Sequence, residues 1–161
     1  MGLPGRDILT ERLDQLISAW RDAPGQRPMI SPVSVHTPEP SPPAVYVIGI
    51  DSYEELARTD LEGTAAAMEE VRTRLDRLVR STDVFALLEP GRFALAAASV
   101  APSTAGVIME RMAGAVAMPI ELAGQPLSLS VSIGVAFAFD GASAPTMLSA
   151  AEFDQQRPRS R

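Results

Sequence analysis

Few residues of this 161-residue chain are placed to do chemistry. It has no cysteine, which excludes disulfides and thiolate metal sites. Its single histidine, His36, sits in a proline-rich stretch and reads as an exposed loop residue. One imidazole cannot build a histidine-rich metal centre, nor, in that setting, a Ser-His nucleophilic pair. What remains is arginine and carboxylate. Arg80-Ser81-Thr82-Asp83 sets a guanidinium and a carboxyl group three residues apart. A guanidinium can clamp an anion with two hydrogen bonds, and a carboxylate can accept from N–H groups. The same residues also have a structural reading, with Arg80 favouring a helix dipole at its C-terminus and Asp83 serving a turn. Arg157, Arg159 and Arg161 can touch an anion, but a frayed basic tail is the simpler reading.

The formal net charge is -6, with 46% hydrophobic and 21% charged residues. Such a chain is a poor candidate for bulk binding to nucleic acid or to membrane phosphates, although a local basic pocket for a small anion is compatible with it. No apolar run has the length of a signal peptide or of a membrane span, so the cytoplasm is the default compartment.

These side chains need elements to position them. Ile8, Leu9, Leu13, Leu16, Ile17 and Trp20 form one apolar stripe on a helix from about Asp7 to Arg21, ended by Ala23-Pro24-Gly25. Pro24 to Pro43 holds repeated prolines among polar residues and should be an irregular loop. Ala44 to Ile50 is continuously apolar, the mark of a strand covered on both faces. Met68, Val71, Leu75, Leu78 and Val79 predict a helix from about Asp60 to Arg80. Val84–Leu88 and Phe93–Ser99 flank Glu89-Pro90-Gly91-Arg92 as a β-hairpin, with Arg92 in solvent at its tip. Pro102-Ser103 opens a helix whose apolar face holds Val107, Ile108, Met112 and Val116. Leu127 to Phe139 predicts one long, central strand, and Ala144 to Gln155 a last helix. The pattern is that of an α/β layer fold with a mixed sheet flanked by helices, in a single domain over 1–161.

Several segments, in this order, resemble the GGDEF (diguanylate cyclase) domain. Gly2-Leu3-Pro4-Gly5-Arg6 with Leu9, Arg12 and Leu13 is similar to that family's "GLPNR…L…RL" opening. Ile50-Asp51-Ser52-Tyr53 resembles the end of its first strand, and Glu89-Pro90-Gly91-Arg92-Phe93 falls at the hairpin of the Gly-Gly-Asp/Glu-Glu-Phe signature. Ser130 to Ala136 (SVSIGVA) is the most specific stretch, and Leu148, Ala151 and Glu152 echo the family's last helix. The resemblance implies a nucleotide-cyclase-like fold of bacterial signalling, with the proline-rich loop over 24–43 as an insertion.

The resemblance also implies that the catalytic groups are missing. Members join two GTP molecules into cyclic di-GMP using divalent metal held by carboxylates. The matched metal positions here are Gly49, Gly91 and Arg92, and arginine repels a metal ion. Glu89 and Pro90 replace the two small glycines that admit nucleotide, and Ala57 stands at the guanine-reading asparagine. Asp51 matches the second strand carboxylate and reads as a solvated strand-end or capping residue. The "Y-x-A-K" phosphate contact has no counterpart in Asp154 to Arg161. By contrast Arg80 and Asp83 fall at the family's inhibitory site for cyclic di-GMP, and Arg111 matches the second arginine of that site.

Three readings follow. The first is a catalytically inactive sensor or regulatory module that binds cyclic di-GMP through Arg80, Asp83 and Arg111, with no cofactor and no metal. The second is an interaction domain, binding no nucleotide, that pairs with itself or with a partner protein; proline-rich segments dock in aromatic grooves. The third is a residual enzyme or GTP binder that sets Arg92 on phosphate.

Overall fold

The computed structural model describes residues 2–22 and 41–157. Most of the proline-rich stretch, with His36, and the arginines at 159 and 161 lie outside the described residues. At the end of that stretch, the carbonyls of Pro42 and Pro43 accept hydrogen bonds from the N–H groups of Val100 and Ala138. Among the described residues no helix is long and apolar enough to cross a membrane.

The strand β1 (Ala44–Ile50) is buried at every position. It lies inside a four-stranded sheet of order β2-β3-β1-β6, with β2 (Val84–Glu89), β3 (Arg92–Ala97) and β6 (Val131–Phe137). The helix α1 (Arg6–Arg21) and the last helix, α5 (Ala144–Gln156), cover one face, where Leu9, Leu13 and Ile17 meet Val45, Val47 and Met147. On the other face, Tyr46 and Ile48 pack with α3 (Leu61–Asp76) and α4 (Ala105–Ala117) through Val71, Leu75, Met112 and Val116. A short helix, α2 (Tyr53–Thr59), precedes α3, whose N-cap Asp60 accepts from the Gly63 N–H at 2.9 Å. A strand with helices on both sides has no wet face, so its apolar run is unbroken.

The α/β architecture is the expected one, with four corrections. Every pairing in the main sheet is antiparallel, where a mixed sheet was expected. The segment from Leu127 to Phe139 is not one central strand. Its start belongs to a small hairpin of β4 (Ile120–Leu122) and β5 (Gln125–Leu127), and β6 is an edge of the main sheet. Ala123 and Gly124 at that hairpin's turn both have positive φ, the backbone that favours a two-residue connection. Helix α3 stops at Asp76, so Arg80 stands in the following turn rather than at a helix terminus. Ile8 is 55% exposed, off the buried stripe of α1.

The close approach of α5 to β6 passes over Gly134. A Cβ there would overlap the Ala151 carbonyl oxygen and the Gln155 N–H nitrogen, both backbone atoms that cannot swing aside. Gly134→Ala is therefore expected to cost about 1–3 kcal/mol, as overpacking does. A melting curve should show Tm falling by about 2–12 °C. An unchanged Tm would mean that α5 sits further from the sheet.

Candidate functional site

Among the described residues, two places hold the charged residues that the sequence singles out. The first is at the C-terminal end of β1. The register sets Gly49 opposite Arg92, and the Ile50 N–H donates to the Gly91 carbonyl at 2.8 Å, so the β2–β3 turn lies against the strand end. Gly91 has φ of 81°, and a Cβ there would overlap the Tyr53 ring. Both the backbone and the packing demand glycine. These residues border a cleft of about 350 Å³ whose other lining includes Glu54, Glu55, Arg58 and Glu89.

The side chain of Gln155, carried in by α5, lies directly over Gly49, where any Cβ would meet it. Arg92 does not project into solvent as expected. It is 23% exposed and pairs with Glu89 at 2.6 Å and with Glu152 at 3.5 Å. Glu152 also accepts from Arg6 at 2.8 Å, and that hydrogen bond raises the Arg6 pKa above its ordinary value. Asp51 is not a free strand-end carboxylate, since it accepts from the hydroxyls of Ser130 (2.8 Å) and Ser132 (2.7 Å) and ties β1 to β6. Ala57 lies on α2 outside the cleft lining. Among the described residues no three His, Cys, Asp or Glu side chains are grouped to hold a metal ion. The cleft's own carboxylates, Glu54, Glu55 and Glu89, form no such group, and Glu89 is paired with Arg92, so the oxygen cluster that magnesium needs is not assembled there.

The second place is on the α3–α4 side of the sheet. Arg80 and Asp83 from the α3–β2 turn and Arg111 from α4 line one pocket of about 90 Å³. Leu78, Val100 and Ile108 form its apolar walls. Arg80 and Arg111 are exposed, and neither guanidinium pairs with a carboxylate among the described residues. Asp83 is half-buried and already engaged, accepting from the N–H groups of Arg80 and Ala98, both at 3.2 Å. The turn reading of Asp83 thus holds, and it leaves the carboxylate with part of its acceptor capacity. Arg157, just past the end of α5, is 4.0 Å from Asp154 and is not among this pocket's lining residues.

Among the lining residues that sequence reasoning did not place here, Tyr46 stands out. Tyr46 of β1 is fully buried, lines the pocket, and its hydroxyl has no hydrogen-bond partner among the described residues. The available signal was a lone polar atom within an otherwise aliphatic strand. Burial pushes the Tyr46 pKa up to about 12, Asp83 adds to the rise, and Arg80 opposes it. The neutral phenol is therefore favoured by the fold. Its contribution to stability is fully present below pH about 10 and is lost as pH rises through about 12. The chain has two tyrosines. An alkaline absorbance titration of the native protein should contain a component delayed to about pH 12, and Tyr46→Phe should remove it. A delayed component that survives the substitution would assign it elsewhere.

Comparison with known proteins agrees with this architecture. The chain is similar to diguanylate cyclase SiaD of Pseudomonas aeruginosa, solved with its activator SiaC, at 18% identity and a TM-score of 0.78. The alignment covers 95% of this chain and 54% of SiaD, about half of that relative's length. The GGDEF domain of YfiN (TpbB) from Pseudomonas aeruginosa is 24% identical, with 95% and 88% of the two chains covered and a TM-score of 0.77. The GGDEF domain of DgcB from Caulobacter crescentus, solved in complex with c-di-GMP, is 17% identical, with 95% and 81% covered and a TM-score of 0.78. No curated protein matches the sequence at a significant level. The family profile described as "Diguanylate cyclase, GGDEF domain" matches residues 34–157, most of the chain, and the chain belongs to that family.

Proposed function

We propose that this chain is a non-catalytic GGDEF domain that binds cyclic di-GMP through Arg80, Asp83 and Arg111. One observation carries the reading: residues far apart in sequence converge on a single pocket, with two guanidinium groups at its rim that pair with no carboxylate among the described residues. Guanidinium groups recognise phosphate oxygens and the acceptor edge of guanine by paired hydrogen bonds. That DgcB was solved in complex with c-di-GMP supports the ligand class. The other cleft supports the non-catalytic half of the proposal, because Gly49, Gly91 and Arg92 offer no carboxylate to a metal, and Gln155 and Tyr53 occupy the space that side chains at positions 49 and 91 would need.

Calorimetric titration with cyclic di-GMP tests this, with GTP and GDP as controls. Saturable heat with cyclic di-GMP alone supports the proposal. Absence of heat at high micromolar ligand leaves the interaction-domain reading, for which exposed Phe139 and Phe153 and the SiaD–SiaC complex are the supporting observations.

A further inference from the structure

We propose that Tyr46 forms the floor of the Arg80–Asp83–Arg111 site, its hydroxyl exchanging a hydrogen bond with the edge of a purine base inserted into the pocket. The inference rests on the ligand-binding reading above and adds a residue and an orientation to it.

Four observations lead here. The Tyr46 hydroxyl is buried and has no hydrogen-bond partner among the described residues, and an unsatisfied buried polar group is costly unless a ligand completes it. It shares its pocket with the three charged residues and senses the charges of both Asp83 and Arg80. The volume of about 90 Å³ equals roughly three waters, enough for one planar edge but not for a whole cyclic dinucleotide. Finally, charge and depth are separated. The two arginines are exposed at the rim, while the buried lining is Tyr46, Leu95, Ala97 and Val100. A phosphate pushed inward would be desolvated among aliphatic side chains, whereas a neutral base edge would not carry that cost. The phosphates therefore stay at the rim with Arg80 and Arg111, and the base points inward to Tyr46.

The site's hydrogen-bonding chemistry gives Tyr46 a distinct role. Arginines only donate, and ionised Asp83 only accepts with part of its capacity already used. The tyrosine hydroxyl can do either, as can that of Ser99, which already donates to the Ser41 carbonyl at 3.3 Å, so the unengaged Tyr46 hydroxyl is the one free to adapt as a donor or an acceptor to the pattern of the base.

Tyr46→Phe removes the hydroxyl and keeps the ring that packs in the core. Calorimetry with cyclic di-GMP should show affinity falling about 3- to 12-fold, the worth of one net hydrogen bond. The unliganded variant should melt at or above the wild-type temperature, because an unsatisfied buried group has been deleted. If the wild type binds, Arg80→Ala does not, and Tyr46→Phe binds as tightly as wild type, the Tyr46 contact is overturned while the site stands. If unliganded Tyr46→Phe melts well below wild type, the hydroxyl has an internal partner and the assignment is overturned. A wild type that gives no heat overturns the binding reading, and this assignment with it.

Discussion

Arg80→Ala should weaken cyclic di-GMP binding about 10- to 150-fold, the range expected when one charge-assisted contact of about 1.5–3 kcal/mol is removed. The guanidinium is exposed and has no ion-pair partner among the described residues, so its loss should leave the melting temperature close to wild type. Arg111→Ala should behave alike. Asp83→Ala is a poorer probe. Its carboxylate holds the Arg80 and Ala98 N–H groups, and deleting it leaves both without an acceptor, so lost binding would mix recognition with a loosened turn. The protein's net charge of -6 repels an anionic ligand at long range, so binding depends on local attraction by arginines such as the two at the rim. Affinity should accordingly fall as salt is raised. Arg92→Ala supplies the control, since that side chain is committed to Glu89 and Glu152 on the other cleft. If Arg92→Ala abolishes binding and Arg80→Ala does not, the ligand occupies the cleft beside β1 and the site assignment is wrong.

Periodicity resolves what depends on neighbours along the chain. The aliphatic run Ala44 to Ile50 announces a strand with two dry faces, and it is one. Pro90-Gly91 announces a tight turn, and Gly91 takes the positive φ that such a turn requires. The small β4–β5 hairpin escapes because three-residue strands carry too few positions to show alternation, and because Ala123 takes a positive φ that its residue type does not advertise. The fate of Arg92 is equally invisible locally. Its partner Glu152 arrives on α5, and α5 reaches it only because Gly134 lets the helix lie against β6. Tyr46 shows the same limit. A strand tyrosine is ordinary core by composition, and its hydroxyl matters only because the α3–β2 turn and α4 close around it. The resemblance located Arg80, Asp83 and Arg111, but their joint pocket is a property of three elements packed together.

Incubated with GTP and Mg²⁺ or Mn²⁺, the protein should form no cyclic di-GMP. Phosphoryl transfer to a hydroxyl nucleophile depends on metal to neutralise phosphate charge and to orient the reacting oxygens, and loss of a single charge-stabilising group commonly costs about 10²–10³ in rate. Here the expected carboxylate positions are Gly49, Gly91 and Arg92 together, so the losses compound. The replacements also fit their surroundings. Gly91 is packed under Tyr53 in a conformation that a carboxylate-bearing side chain would strain, and Gly49 is covered by Gln155. Gly49→Asp alone should therefore gain no turnover, because the new carboxylate would have to displace Gln155 and would face the Arg92 guanidinium instead of a metal. Product should be sought by chromatography in the wild type, in Gly49→Asp, and in a Glu89→Ala, Arg92→Ala double variant prepared in the same way. A product peak that is present in the wild type and vanishes in the double variant would show that the cleft catalyses after all. A peak of equal size in all three preparations would come from a contaminating cyclase, and repurification should remove it. With no peak in any of them, the expectation of no turnover stands, and Arg6, Glu89, Arg92 and Glu152 beside the cleft act as an ion-pair network.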